Sequence, residues 1–573
     1  MSAEPLTILT SQWEKAAAFE PGADEAAQAT WILRSWGPSR CADALAAALG
    51  DLRATVVRED VAAEPGQATP EAEGEQHHVF FVDETVPLAE LDLADEGSWA
   101  WAHAVVRACQ QVASRPGARL WIVTRTGLHG PSRGDTVRPE HDFAWALGRC
   151  HAAERPNSWG GLVDLQVNDP ETAAEMLAGY LLSGSSEDEV LLHDDGPFVA
   201  RQRASALPPA DGQAISMDRL HIVSGGAMGL SFEVGRWLAG SGAKRLLILG
   251  RSALDSDRER NLRLLESMGC TATYEVLDVG DPKLVRDLAA RLRGEAVGGV
   301  FHLASHWRVD GRSCVAPLES ATAAQTQVLI GAKANGALLL GELAEELGAQ
   351  AMVFFSSAAA TLGSPGQANY AAANAVLDGV ARRLHGGRVR PVSIAWGPVG
   401  DVGFGASPEG AELHELWERL GLKRLTVDQV LSTIGVALSQ DEPNLSVVSW
   451  DESVLSAVPW FRERPVLEAL STAEPVGQSL GDLSELEDGK RVQYILGVVR
   501  NHLAVMMSQA PEDLDPDVPL LETGIDSLIA LELLYVIDHE FAIRLEFQDV
   551  LADMDITLTT MAEKLDERIG QAR

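Results

Sequence analysis

Leu220-His221-Ile222-Val223-Ser224-Gly225-Gly226-Ala227-Met228-Gly229-Leu230-Ser231-Phe232 is the stretch that decides the fold. Its opening residues predict a buried strand over 220–223. Three glycines in five positions predict a turn over 224–231, and the apolar-periodic run that follows predicts a helix over 232–241. The next strand, 245–249, ends on Gly250-Arg251, and further strands are expected at 273–277, 299–303, 351–355 and 390–395 with helices between them. Such alternation builds a doubly wound parallel sheet, whose ligands bind at the carboxyl ends of the strands.

Outward from this segment the chain changes character twice. Upstream, β-rich runs at 30–33, 79–82 and 120–123 alternate with helical stretches such as 99–112, again a βαβ pattern, but no glycine-rich turn follows any of those strands. A Glu-, Pro- and Ala-rich tract at 62–76 is expected to be a surface excursion. Downstream, a Ser-, Glu- and Gly-rich linker near 471–487 leads to an apolar-periodic helix (491–507), an acidic loop, a second helix after Ser527 and a last one at 557–569, with room for a short fourth before Thr557. The expected organisation is α/β: two Rossmann-like subdomains (1–210 and 211–467), a linker (468–489) and a four-helix bundle (490–573).

A chain of 573 residues exceeds what one core can serve, so several domains are required. The net charge of −37 argues against nucleic acid or an anionic membrane surface as partner. It suits docking on basic patches of other proteins, and solubility alone would also account for it. Cys41, Cys109, Cys150, Cys270 and Cys314 are scattered and never form a CxxC pair, which reads as reduced thiols in a cytoplasmic protein without a metal site. No apolar run reaches 18 residues, and residues 1–19 lack a signal-peptide core.

Near the C-terminus, Glu512, Asp513, Asp515, Asp517, Glu522 and Asp526 crowd a segment with no Lys or Arg between Pro511 and Ser527. Leu528, Leu531, Leu533, Leu534 and Ile537 then recur at helical spacing. A serine at an acidic helix start is by itself a cap. Taken whole, Pro519-Leu520-Leu521-Glu522-Thr523-Gly524-Ile525-Asp526-Ser527-Leu528 resembles the phosphopantetheine attachment site of acyl carrier proteins. The resemblance implies that Ser527 carries 4′-phosphopantetheine, attached by a phosphopantetheinyl transferase, and that the substrate is an acyl thioester held on the protein.

A second constellation lies in the middle segment. Ser357 precedes Tyr370 by thirteen residues, and Asn374 follows it by four, so Tyr370 and Asn374 share a helix face if Tyr370 opens the helix behind the strand that bears Ser357. With Phe355-Ser356-Ser357, Gly366-Gln367-Ala368-Asn369-Tyr370 and Trp396-Gly397-Pro398, this resembles short-chain dehydrogenases and, specifically, the ketoreductase domains of polyketide synthases. Ordinary members of that superfamily carry Tyr-x-x-x-Lys. The polyketide branch places Asn at the last position and takes its lysine from an earlier helix, where this chain has Lys333 in Gly331-Ala332-Lys333-Ala334-Asn335-Gly336. The resemblance implies that Tyr370 protonates the developing alkoxide, Ser357 holds the carbonyl oxygen, Lys333 favours the ionised phenol and Asn374 joins a proton relay.

It also implies NADPH, with Ser224, Gly225, Gly226, Met228, Gly229 and Leu230 around the pyrophosphate, Arg251 at the 2′-phosphate and Asp278-Val279 at the adenine. Against the pattern Thr-Gly-Gly-x-Gly-x-x-Gly, Met228 and Ser231 replace glycines. Against Thr-Gly-x-x-x-Gly-x-Gly, only the last glycine is lost, to Ser231, with Ser224 for Thr. His302-Leu303-Ala304-Ser305 resembles the family's His-Ala-Ala-Gly with serine for the last glycine, His302 is expected to be structural, and His306-Trp307 receives no role. The Leu-Asp-Asp signature of one stereochemical class is absent between His302 and Val315, and the tryptophan of the other class falls on Leu362.

Upstream, Trp121-Ile122-Val123-Thr124-Arg125, Ala146-Leu147-Gly148-Arg149, Ala153-Glu154-Arg155-Pro156 and Gly161-Leu162-Val163-Asp164-Leu165 resemble the structural half of a modular ketoreductase. The implied function is NADPH-dependent reduction of a carrier-bound β-ketoacyl thioester. The alternative is a reductase-inactive homologue that epimerises such a chain or acts as a scaffold. No ketosynthase or acyltransferase nucleophile motif is present, so those partners are expected on other domains or chains.

Overall fold

The computed structural model describes residues 6–20, 29–61, 75–82, 96–115, 117–125, 137–206, 215–309, 311–400, 402–455, 461, 464–470, 488–507, 509–523, 525, 529, 533–534, 536–537, 541 and 556–571. The chain divides into two compact units. The first comprises Met1–His414, Lys423–Trp450 and Pro465–Ala469, and the second Glu415–Leu422, Asp451–Arg464 and Leu470–Arg573. The surface tract at 62–74 and the linker at 471–487 lie outside the described residues, as does Ser527.

In the first unit the strands are β1 (Thr7–Lys15), β2 (Thr30–Ser35), β3 (Thr55–Asp60), β4 (Gln76–Phe81), β5 (Ala118–Arg125), β6 (Trp159–Gln166), β7 (Glu189–His193), β8 (Gly196–Ala206), β9 (Leu220–Ser224), β10 (Arg245–Gly250), β11 (Thr271–Val276), β12 (Val297–His302), the small hairpin β13 (Arg308–Val309) and β14 (Arg312–Ser313), β15 (Ala351–Ser357), β16 (Arg390–Trp396) and β17 (Asn444–Val448). Among the described residues, fifteen of these form one sheet in the order β11-β10-β9-β12-β15-β16-β17-β1-β8-β7-β6-β5-β4-β2-β3. The two α/β segments are therefore halves of one sheet. The seam is β1, whose Thr7, Ile8 and Leu9 pair antiparallel with β17 on one side and, together with the rest of the strand, with β8 on the other. The second half is otherwise parallel, and the first is parallel except for β8, which pairs antiparallel with β7.

Both halves reverse direction in the same way. From β9 the chain winds outward to β10 and β11, then returns to β12 on the other side of β9. From β2 it goes to β3 and returns to β4. Each reversal leaves a crevice outside the carboxyl ends of two parallel strands, where ligands of such sheets bind. β15 and β16 are apolar and buried almost throughout, as parallel strands covered on both faces must be.

The helices that matter here are α1 (Arg40–Asp51), α2 (Ala100–Ala113), α3 (Pro139–Glu154), α4 (Gly229–Gly240), α5 (Ser256–Ser267), α6 (Ala323–Leu329), α7 (Ala358–Leu362) and α8 (Ala368–Leu384). Helix α3 from the first half packs against α8 from the second, and both are buried along nearly their whole length. Small residues permit the approach. A Cβ on Gly379 would lie 2.6 Å from the Cα of Pro139 and 2.3 Å from Asp142 Oδ2. The same contact buries an ion pair between Arg382 and Asp142.

In the second unit two long helices, Asp488–Met506 and Leu558–Gln571, share an apolar core. Ile495, Val499 and Leu503 from one and Met561, Leu565 and Ile569 from the other meet Leu533, Ile537 and Phe541, which are helical positions beyond Ser527. The expected short helix before Thr557 falls outside the described residues.

Candidate active site

The glycine turn has the backbone of a phosphate-binding loop. Positive φ falls on Gly225 (115°), Gly226 (85°), Ala227 (55°) and Gly229 (52°), whereas Met228 is extended at −134°. No glycine is required at Met228, so the register Thr-Gly-x-x-x-Gly-x-Gly is the one that the backbone follows. Ser231 is accommodated by turning its hydroxyl back to donate to the Met228 carbonyl at 2.9 Å. Ala227 is held in its unfavourable region by Asn261 Nδ2, which donates to its carbonyl at 2.9 Å. Met228 occupies the N-cap of α4 without any side-chain cap, and the first turn of α4 carries no acidic residue.

Beside this turn lies a crevice of about 180 Å³ at the β9/β12 reversal. Of the residues expected at the cofactor, Gly225, Gly226, Arg251, Asp278 and Val279 line it. Met228, Gly229 and Leu230 sit at the start of α4 instead. Ser224 is buried: its Oγ accepts from the Leu303 and Ala304 amides (3.0 and 3.2 Å) and reaches His302 Nδ1 at 3.0 Å, which ties the glycine turn to the loop after β12. Arg258 and Tyr274 also line the crevice. Arg258 Nε donates to the Gly226 carbonyl at 3.2 Å, reaching back from the first turn of α5, a contact that no sequence spacing announces. Arg251 turns its guanidinium to the imidazole of His306, with nitrogens 2.7 and 2.9 Å apart.

The second constellation assembles beyond the end of β15. Ser357 ends that strand and Tyr370 lies in the first turn of α8, one helical repeat before Asn374. Burial pushes the Tyr370 phenol above its ordinary range, while the Ser357 hydroxyl and the Asn374 amide draw it back down. Asn374 Nδ2 donates to the Tyr370 carbonyl at 2.9 Å, and its buried Oδ1 has no protein partner. Lys333 sits in a π-helical turn, Ile330–Asn335, of the kind that re-aims a side chain at functional sites. Its Nζ lies 6.0 Å from the centre of the Tyr370 ring and donates to the Phe355 carbonyl at 2.9 Å. Burial lowers the ammonium to about 8, with Asp378 opposing. The expected cation therefore lies over the Tyr370 ring, but its own hydrogen bond goes to β15.

His302 explains how Lys333 is held. Its Nε2 reaches the Lys333 carbonyl at 3.1 Å, so this nitrogen carries the proton and Nδ1 accepts from Ser224. Burial lowers the ring to about 3, which keeps it neutral. The first half contributes as well. Trp99 Nε1 donates to Asn335 Oδ1 at 2.9 Å, and half-buried Glu154 accepts from the Gly366 and Leu318 amides, both at 2.9 Å. Trp307, without a role in the sequence reading, stacks on Phe404 (4.7 Å, 12°) and lies 5.3 Å from the Tyr370 ring at 34°. Among the described residues no group of three or more His, Cys, Asp or Glu gathers as a metal would require, and no helix is long and apolar enough to cross a membrane.

A parallel sheet with a glycine turn at its reversal and a Ser-Tyr-Lys-Asn set beside it defines a short-chain-dehydrogenase-type ketoreductase body. Residues 220–401 match the family described as "KR domain", and residues 497–564 match "Phosphopantetheine attachment site". The chain is 31% identical over 439 residues to erythronolide synthase EryA3 of Saccharopolyspora erythraea, covering 73% of this chain and 13% of that protein. It is likewise 31% identical to the pikromycin polyketide synthase component PikAIII of Streptomyces venezuelae, covering 73% and 28%. It thus spans less than a third of the length of these relatives. A solved structure titled "Structure of A1-type ketoreductase" superposes with a TM-score of 0.66 at 28% identity, over 81% of this chain and 99% of that one. The chain is a ketoreductase–acyl carrier protein didomain of the polyketide synthase family.

Proposed function

We propose that this protein reduces a β-ketoacyl thioester to the β-hydroxyacyl thioester with NADPH, on a chain carried by the 4′-phosphopantetheine arm of Ser527. The observation that carries the reading is the half-buried Tyr370 phenol, which has Ser357, Lys333 and Asn374 around it and belongs to the same half of the first unit as an uncapped, glycine-turned helix start. NADPH, when bound, supplies the hydride. Gly225, Gly226, Met228, Gly229 and Leu230 offer backbone to its pyrophosphate, Ser224 fixes that turn, Arg251 meets the 2′-phosphate and Asp278-Val279 the adenine.

The protein's own groups handle the proton. Ser357 donates to the ketone oxygen and polarises it. Tyr370 then gives its phenolic proton to that oxygen, and the phenolate is stabilised by the Lys333 ammonium. The open Oδ1 of Asn374 suits a water that passes a proton back to Tyr370. Lys333 at about 8 is largely charged at neutral pH.

The working chain divides as 1–210, 211–467, a linker at 468–489 and a carrier at 490–573. It acts in the cytoplasm after modification by a phosphopantetheinyl transferase, on chains built by ketosynthase and acyltransferase domains. The extended backbone at Met228 does not call for glycine there, which supports the reductase reading over an epimerase or scaffold.

NADPH oxidation by the whole chain with a β-ketoacyl thioester is the test. Tyr370→Phe is expected to slow it about 10²–10⁴-fold while NADPH binding persists. Absence of NADPH binding at millimolar cofactor would end the reductase reading. Mass spectrometry is expected to show the phosphopantetheine addition, abolished in Ser527→Ala.

A further inference from the structure

Trp307 and Phe404 are large apolar rings left half-buried beside the residue proposed to do the chemistry, and they take no part in the proton transfer. They come from distant parts of the chain. Trp307 ends the loop that Ser224 anchors after β12, and Phe404 lies in the short helical turn Gly403–Ala406 beyond β16. That turn is seated against the start of α4, since a Cβ on Gly229 would be 3.1 Å from the Gly403 Cα. The Trp307 and Phe404 rings are nearly parallel, and the indole also adjoins the Tyr370 ring, tilted 34° to it.

We infer that Trp307 and Phe404 form the acyl-binding wall of the Tyr370 site and select a flat chain, an aryl or conjugated 3-oxoacyl thioester, over a saturated one. This rests on the reductase reading of Tyr370. A substrate that brings its ketone to the phenol must lay the carbons next to that ketone along the adjoining indole. A planar π system gains an offset stack there and leaves the Trp307–Phe404 pair in place. A saturated ring or branched chain is thicker, carries no π face and displaces Trp307 from Phe404. Single stacking contacts of this kind are worth roughly a three- to tenfold difference in affinity.

The test uses the full chain without NADPH and two hydrolysis-resistant pantetheine amides with the same carbon skeleton, 3-oxo-3-phenylpropanoyl and 3-cyclohexyl-3-oxopropanoyl. Calorimetric titration is expected to show the phenyl compound binding roughly three- to tenfold more tightly, although cyclohexyl is the more hydrophobic group. Trp307→Leu is expected to abolish the difference, chiefly by weakening the phenyl compound. Phe404→Leu is expected to narrow the difference, and it serves as the second variant should Trp307→Leu fold poorly, as judged by circular dichroism.

Equal binding of the two amides, or tighter binding of cyclohexyl, overturns the proposal. So does a Trp307→Leu loss that falls on NADPH affinity and leaves the ratio intact, because the indole would then face the nicotinamide. Binding is read without hydride transfer, so the outcome is separable from the activity. A protein that oxidises NADPH equally well with both thioesters is a reductase without this selectivity. One that discriminates the amides and never oxidises NADPH keeps the wall and loses the reductase reading.

Discussion

The β2–α1 and β9–α4 connections occupy equivalent reversals in the two halves of the sheet, and they treat their helix starts in opposite ways. At α1 the chain closes its own N-terminus: Ser39 Oγ accepts the Ala42 amide, Asp43 lies in the first turn, and Asp60 at the end of β3 accepts the Gly37 amide. At α4 the N-cap is Met228 with no side-chain cap and no acid in the first turn, and the cations Arg251 and Arg258 face the crevice instead. A helix N-terminus is a partial positive charge with unpaired amides. One half neutralises it internally. The other leaves it without a side-chain cap, as the proposed cofactor site requires. The shared architecture therefore gives both halves a crevice, and the local polar residues decide which is a site.

The first half is then a support for the second, and the seam between them is where the largest effect is expected. Arg382→Ala strands the buried Asp142 carboxylate and should cost about 3–5 kcal/mol of unfolding free energy at pH 8. Burial already raises Asp142 to about 7, and loss of Arg382 raises it further, so the cost should shrink toward pH 5, where Asp142 takes up a proton. An equal cost at both pH values would show that the packing of Arg382, and not its charge, holds the seam.

Glu154 sharpens the same point. Burial raises it from 4.5 to about 7 against two backbone donors. The folded state therefore binds its proton more tightly than the unfolded state. That contribution to stability is fully present below pH 4.5 and is lost as pH rises to about 7, by at most about 1.4 kcal/mol per pH unit. Glu154→Gln should remove this part of the slope in melting experiments between pH 4.5 and 7. An unchanged slope would assign it to the other buried carboxyls, Asp142 and Asp378.

The two helix starts can also be exchanged. Met228→Asp gives α4 the kind of cap that α1 has, and it should raise the melting temperature while weakening NADPH about tenfold or more, from roughly 1–4 kcal/mol of repulsion at 4 Å. Tighter NADPH binding in that variant would break the comparison. The smallest effect is expected from Ser39→Ala, about 1 kcal/mol of stability with NADPH affinity unchanged.

Much of the site was legible in advance because its chemistry is local. Ser357, Tyr370 and Asn374 are fixed by one strand, one short connection and one helical repeat, so their spacing alone brings them together. The glycine turn was legible as a turn, but not the register of its glycines. Only φ distinguishes Met228, which is extended, from Gly225, Gly226 and Gly229, which are not. Arg258, Trp99 and Glu154 were not singled out because they reach the site across the fold from other elements. Trp307 was noticed without a role, since its partners lie 63 and 97 residues away in the chain.

By itself the sequence determined the α/β class and the presence of a ketoreductase and a carrier domain, and it singled out Ser527 and the Ser-Tyr-Lys-Asn set as candidates, because these rest on periodicity, short motifs and a family resemblance. Only the tertiary structure decided that the two α/β segments share one sheet through β1, that α3 braces α8, and that Trp307 and Phe404 meet at Tyr370. Strand pairing and side-chain packing join residues hundreds of positions apart, and no local pattern in a single chain encodes those distances.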